Sequence, residues 1–391
     1  MDQTFKLELE QLRKGNLYRT MKKITGPIGT TVFIDGKELI LLSSNNYLGL
    51  STHPKLVAAA ELALKMYGTG SGASRLISGN MEIHERLEKK TADFKGTPAA
   101  ALFSTGYMAN LGVITSLVGK GDLILSDELN HASIIDGCRL SGAAVKIYPH
   151  RNTDALEQLL SRGGDNCPRR LIVTDGIFSM DGDIAPLAGL VKIAEKYNAW
   201  LLVDDAHATG VLGENGRGTV EHFGLQCDRL IQVGTYSKAL GSIGGFVAGP
   251  DQVIEWIKNK ARSFIYSTGL PPGVCGASIA ALEVVETEPE RREQLWGNIK
   301  RLQAGLVHSG FNIRESQTQI IPLVTGRSEV TMQFAHGLFE KGLYAPGIRP
   351  PTVPDNQCRI RLCPTAAHTA QQIDAVLEIL EGQGRRLGII K

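Results

Sequence analysis

Apolar runs alternate with polar or glycine-marked breaks along most of the chain. Short continuous apolar runs, of the kind buried inside a parallel sheet, occur at 99–103, 123–126, 144–148, 170–174, 200–203 and 230–233. Helical stretches lie between them, which predicts an α/β fold: a mostly parallel sheet with helices on both faces. Ahead of this block, charge and leucine alternate at helical spacing over 4–23 (Leu7, Leu9, Leu12, Leu17), predicting an amphipathic helix that Gly26-Pro27 ends. Residues 31–42 predict a hairpin turning at Asp35-Gly36, and 54–67 a helix. Later helices are expected at 108–117, 251–264, 273–286, 290–309 and 370–383, with further strands at 320–324 and 358–362. At 391 residues the chain is too long for one core. The expected division is an N-terminal helix and hairpin segment (1–50), a large domain (51–288) and a smaller C-terminal α/β domain (289–391).

In such sheets ligands bind beyond the carboxyl ends of the strands. Gly106, His131, Ser179, Asp204, His207 and Lys238 all fall just after predicted strands. Lys238 lies in Gly234-Thr235-Tyr236-Ser237-Lys238-Ala239-Leu240-Gly241, where small neighbours let the backbone approach a ligand and hydroxyls suit a phosphate. The preceding strand ends in Asp204-Asp205-Ala206-His207. Alone, the lysine reads as a solvated charge and the aspartate as a helix cap. On consecutive strand ends they supply what pyridoxal phosphate (PLP) needs: a lysine for the Schiff base, an acid for the ring nitrogen and donors for the phosphate. Ser104-Thr105-Gly106-Tyr107 opens a helix whose free amides suit that phosphate. The glycines of 68–75 follow a helix rather than a strand, which excludes a dinucleotide fingerprint and suggests a flexible loop at the substrate mouth.

Composition narrows the classes further. Hydrophobic content of 42% and charged content of 21% are those of a soluble globular protein, and a net charge of +2 gives no case for nucleic acid or membrane partners. The opening Met1-Asp2-Gln3-Thr4-Phe5-Lys6 lacks a secretory pattern, so the expected compartment is the cytoplasm, with the six scattered cysteines as free thiols. Asp175, Asp181, Asp183, Asp204 and Asp205 could ligate a metal, yet no histidine stands at metal-binding spacing, and none is expected.

Several ordered motifs carry a resemblance. They are Asn45-Asn46-Tyr47-Leu48-Gly49-Leu50, Ser126-Asp127-Glu128-Leu129-Asn130-His131-Ala132-Ser133, Asp175-Gly176-Ile177-Phe178-Ser179-Met180-Asp181-Gly182, Asp204-Asp205-Ala206-His207-Ala208-Thr209-Gly210 and the lysine stretch. From about Arg19 to the C-terminus the chain resembles the α-oxoamine synthase family of fold-type I PLP-dependent transferases. These condense an amino acid with an acyl thioester, carried on coenzyme A or an acyl carrier protein, and decarboxylate the product. The resemblance implies a Schiff base on Lys238, Asp204 at the ring nitrogen, His207 and Ser179 at the ring oxygen, and His131 stacked on the ring. It implies a phosphate cup of Gly106, Tyr107, Thr235 and Ser237, and a homodimer in which Ser267-Thr268 reaches the partner's phosphate. It places Arg19, Asn45, His131 and Thr352 on the substrate. For the substrate carboxylate Arg349, in a proline-stiffened turn, and Arg361, in a strand, are both suitable. Ser74-Arg75-Leu76-Ile77-Ser78-Gly79-Asn80 and Arg349-Pro350-Pro351-Thr352-Val353-Pro354 look most like the branch that joins L-alanine to a pimeloyl thioester in biotin synthesis, the glycine and acetyl branch being the alternative.

Overall fold

The computed structural model describes residues 3–15, 17–163, 167–354 and 356–391. The chain divides into two compact units, a larger one of residues 48–179 and 184–292 and a smaller one of 1–47, 180–183 and 293–391.

The larger unit is built on a seven-stranded sheet. Across it the strands run Ala99–Phe103, Gly245–Gly249, Leu230–Thr235, Trp200–Asp204, Arg170–Asp175, Leu123–Asp127 and Ala144–Tyr148. All neighbours pair in parallel except at Gly245–Gly249, which is antiparallel to both its partners. The period of two along each strand explains the layering. Ile124, Leu171, Val173 and Leu202 feed one core, while Leu123, Leu125, Ile172, Leu201 and Val203 feed the other. Because both faces of the inner strands are covered, those strands read as continuous apolar runs, whereas the edge strand Ala144–Tyr148 leaves Val145 and Ile147 exposed. Gly245–Gly249 lies outside the predicted strands: its apolar run is only Phe246-Val247-Ala248, and Gly245 is required because a Cβ there would lie 2.4 Å from the Thr105 carbonyl oxygen.

Helix Pro54–Tyr67 has the predicted bounds, with proline in its first turn and the His53 side chain capping Lys55 N. Helix Gly106–Leu117 begins two residues before expectation, capped by Thr105, whose hydroxyl accepts from Met108 N at 3.1 Å. The helix expected over 251–264 breaks at Ala261 into Asp251–Lys260 and Arg262–Ile265. The glycine loop is not loose. Gly269 N donates to Ala73 O, Ser71 Oγ to Gly269 O, and Arg75 binds Asn80 and Glu88 with its side chain buried.

In the smaller unit the Asp35-Gly36 turn forms as read, both residues having positive φ, between strands Thr31–Ile34 and Lys37–Leu41. The N-terminal stretch, expected as a segment of its own, folds with the C-terminal residues, because Leu343–Tyr344 adds in parallel to Lys37–Leu41. Residues 180–183 join the same unit, with Asp181 paired to the buried Arg359 at 2.7 Å. The N-terminal helix is shorter than predicted, Gln3–Lys14, with Gly15 following it. A second antiparallel sheet (Ile321–Gly326, Cys358–Leu362, Gly347–Ile348) packs with helices Glu290–His308, Ser328–Glu340 and Ala370–Arg386 around Leu302, Phe334, Ile360 and Val376. Helix Ser328–Glu340 was not anticipated. Among the described residues no helix is long and apolar enough to cross a membrane, and no disulfide links the six cysteines.

One buried group in this unit predicts a pH dependence. His368 accepts at Nδ1 from Thr365 N at 3.0 Å and faces Leu41 O through Nε2 at 3.1 Å. Burial pulls its pKa down to about 4. Unfolded, the imidazole takes up a proton below about 6.5. The stabilisation from the neutral ring is therefore complete above that pH and is lost as pH falls toward 4. The expected loss is at most about 3 kcal/mol. Denaturant titrations at pH 7.5 and 5 should show a smaller drop in His368→Asn than in the parent. An equal drop would remove His368 as the cause.

Candidate active site

The carboxyl ends of the parallel strands in the larger unit gather the predicted residues. Lys238 follows strand Leu230–Thr235, and its Nζ lies 2.8 Å from His207 Nε2. His207 is buried on the turn that leaves strand Trp200–Asp204. Asp204, the last residue of that strand, is also buried. Its Oδ1 accepts from Ala206 N at 2.9 Å and its Oδ2 from the Asn110 amide at 2.6 Å. An amine, an imidazole and an oriented carboxylate therefore stand on adjacent strand ends.

His131 follows strand Leu123–Asp127 and caps helix Ala132–Ser141. Its N–H donates to Asp175 Oδ2 at 2.8 Å, and its Nδ1 lies 2.7 Å from Ser133 Oγ. Burial holds the imidazole below its ordinary pKa; Asp204 opposes this and Lys238 reinforces it. Asp175 pairs in register with Asp204 on the neighbouring strand. Burial, and then the Asp204 charge, raise its carboxyl well above the ordinary carboxylate range.

The phosphate candidates also assemble. The free amides of Gly106 and Tyr107 open helix Gly106–Leu117. A Cβ on Gly106 would lie 3.4 Å from the Thr235 side chain, so the helix start rests against that residue. Thr235 Oγ1 is 2.6 Å from Ser237 Oγ, which brings two hydroxyls together there. The Tyr107 ring points elsewhere: it meets the His131 ring edge-on at 6.5 Å, and its hydroxyl binds Asp136. Only its backbone amide remains suited to an anion. Thr268 is exposed, with its carbonyl facing Ser104 Oγ at 3.4 Å and its backbone bridged to Ser74. Ser179 is half-buried on the segment leaving strand Arg170–Asp175. This donor set fits PLP: an amine for its aldehyde, a carboxylate for its ring nitrogen, and a helix N-terminus with hydroxyls for its phosphate.

The remaining candidates lie in the smaller unit, in two groups. Buried Arg361 donates to Asn45 Oδ1 at 3.1 Å and to Tyr47 Oη at 3.3 Å, and that tyrosine donates to Asn45 Oδ1 at 3.0 Å. Arg19 donates to Thr352 Oγ1 at 3.4 Å. Arg349 donates to Tyr18 O at 2.7 Å; burial, and then the charge of Arg19, lower its pKa. Two guanidiniums near enough to repel suit an anionic ligand.

Sequence reasoning missed Asn110, Ser133 and the supporting part of Asp175. Asn110 had a signal: it is the one strongly polar residue in Met108-Ala109-Asn110-Leu111-Gly112-Val113-Ile114. Asp181 and Asp205 form ion pairs, with Arg359 and Lys95 respectively.

Comparison with known proteins agrees with this geometry. The model of the family "Aminotransferase class I and II" matches residues 37–380. A protein of Citrifermentans bemidjiense named 8-amino-7-oxononanoate synthase is 51% identical, covering 99% of this chain and all of its own. One of the same name from Thermoanaerobacter pseudethanolicus is 49% identical over 98% of both chains. Among solved structures, a serine palmitoyltransferase from S. paucimobilis with PLP bound superposes with a TM-score of 0.94 at 36% identity, over 99% of this chain and 98% of its own. Matched so fully from end to end, the chain belongs to the aminotransferase class I and II family, within the α-oxoamine synthases of fold type I.

Proposed function

We propose that the chain is a PLP-dependent acyltransferase that condenses L-alanine with a pimeloyl thioester, releasing carbon dioxide and the thiol and giving 8-amino-7-oxononanoate for biotin synthesis. The observation that carries the substrate pair is the 49–51% identity, over essentially whole chains, to relatives named for that product. Bound, the cofactor supplies an electron sink that makes the amino acid's α-proton acidic. Lys238 holds the cofactor and, once free, takes the α-proton as general base, with His207 Nε2 at 2.8 Å to accept or return a proton at its amine. Asp204 keeps the ring nitrogen protonated, because a carboxylate close by favours the cation. Gly106, Tyr107, Thr235 and Ser237 would hold the phosphate, His207 and Ser179 the ring oxygen, and His131 the ring face beside the substrate. Asn45, Arg19, Arg349 and Thr352 bind substrate polar groups, Asn45 acting together with Arg361.

The comparison to make is kcat/KM for pimeloyl-CoA with alanine against acetyl-CoA with glycine in one preparation. A preference for the pimeloyl pair by several orders of magnitude is expected. Each methylene is worth roughly 1–3 kcal/mol in an apolar pocket, and a satisfied carboxylate adds to that. An equal or better acetyl pair would transfer the assignment to the glycine branch. The same assay with an acyl carrier protein thioester decides the carrier.

The working form is a cytoplasmic homodimer whose sites are completed by Thr268 of the partner subunit. Leu62, Met66, Ile77, Ile243 and Tyr266 are exposed in the single chain, and apolar side chains of this kind are what a subunit interface would cover. Sedimentation of the active protein is expected to give twice the 42.2 kDa chain mass; activity confined to a monomer would contradict it.

A further inference from the structure

Asn110 sits in helix Gly106–Leu117 among the buried residues Ala109, Val113 and Ile114. Its amide nitrogen donates to Asp204 Oδ2 at 2.6 Å and to Ser133 Oγ at 2.8 Å. Among the described residues its own oxygen, which is buried, has no hydrogen-bond partner. A flipped amide would set that oxygen against a carboxylate, so charge fixes the orientation. An orphaned buried carbonyl lowers stability, and asparagine is a poor helix former. A leucine would pack here without either defect. The side chain thus serves something other than the core.

The hydrogen bonds show what it serves. Ser133 Oγ accepts from Asn110, which leaves its proton for His131 Nδ1 at 2.7 Å. The Ser133 backbone N–H faces the same nitrogen at 3.3 Å. Two donors at Nδ1 make it an acceptor, which places the imidazole proton on Nε2. Asp204 and His131 stand at the ends of different strands, and one amide nitrogen joins them.

We infer that Asn110 is a positioning residue for the cofactor site, fixing the orientation of Asp204 directly and, through Ser133, the Nε2–H tautomer of His131. This rests on the reading of Asp204 and His131 as cofactor contacts. The holoenzymes of Asn110→Ala and Ser133→Ala test it against the parent. In Asn110→Ala the visible circular dichroism of bound PLP, which reports a ring held in one orientation, should weaken. Its kcat should fall on the order of tenfold while KM for the amino acid changes little, because the contact acts on the reacting ring and not on substrate affinity. In Ser133→Ala, nitrogen-15 NMR of labelled histidines should show His131 leaving the pure Nε2–H form for a mixture. Unchanged dichroism and kcat in the first variant, or an unchanged His131 tautomer in the second, overturns the inference. If Asn110→Ala does not fold, the Ser133→Ala spectrum decides alone. Dichroism and NMR need no acyl donor, so they read the same whichever thioester the enzyme uses. A parent that fails to bind PLP would sink the proposed function instead.

Discussion

Lys238→Ala is expected to lower kcat on the order of 10⁴-fold while leaving the fold intact. The loss of a positioned general base alone costs roughly 10²–10⁴-fold, and here the same amine also anchors the cofactor. No neighbour can replace it. The buried lysine nearest in kind, Lys95, is locked against Asp205 at 3.0 Å. His207 touches the Lys238 amine but would have no amine left to exchange protons with. The change is mild for the fold, because Lys238 is only half-buried and follows a strand held by its own ladder. Thiol release under saturating substrates measures the effect. Borohydride reduction of the parent, followed by peptide mapping, should place the cofactor on the peptide containing Lys238. Turnover within tenfold of the parent, or a label on another lysine, would end the assignment.

What could be read from the chain, and what could not, divides along physical lines. Buried parallel strands announce themselves because both faces are apolar, and the residues at their ends follow once the strands are placed. The positions of Lys238, Asp204, His207 and His131 at or just beyond strand ends were legible for that reason. Strand Gly245–Gly249 was not, because its apolar run is only Phe246-Val247-Ala248 between two glycines, the first of which the close approach to Thr105 requires. The sharing of residues 180–183 with the smaller unit was not legible either. It depends on Arg359 meeting Asp181 across 178 positions of sequence. Side-chain direction was a third gap: Tyr107 reads as a cofactor residue by position, yet its hydroxyl binds Asp136. The supporting residues Asn110 and Ser133 act through other side chains, so no local pattern names their role.

Breaking the ion pair behind the site is expected to give the largest change in stability. The Lys95 and Asp205 side chains are fully buried, with Nζ 3.0 Å from Oδ2. Asp205 also accepts from Thr219 Oγ1 at 2.6 Å and Thr219 N at 3.1 Å, and Lys95 donates to Arg217 O. Nothing can relax into a gap there by gaining a side chain: a Cβ on Gly218 would lie 2.1 Å from Asp205 Oδ2, and one on Gly176 2.4 Å from Oδ1. Lys95→Met keeps most of the aliphatic volume and removes the charge, leaving a buried carboxylate without its cation. Such a loss costs about 3–5 kcal/mol, whereas replacing both members of a pair can be nearly neutral. Lys95→Met with Asp205→Asn is therefore expected to recover most of the stability, since asparagine can still accept from Thr219. Asp205 directly follows Asp204, so the single variant should also bind PLP more weakly, and the double variant should restore part of that affinity. Denaturant midpoints and PLP titrations on the two variants measure both effects. A single variant within 1 kcal/mol of the parent, or a double variant less stable than the single, would show that the pair does not brace the strand end that carries Asp204.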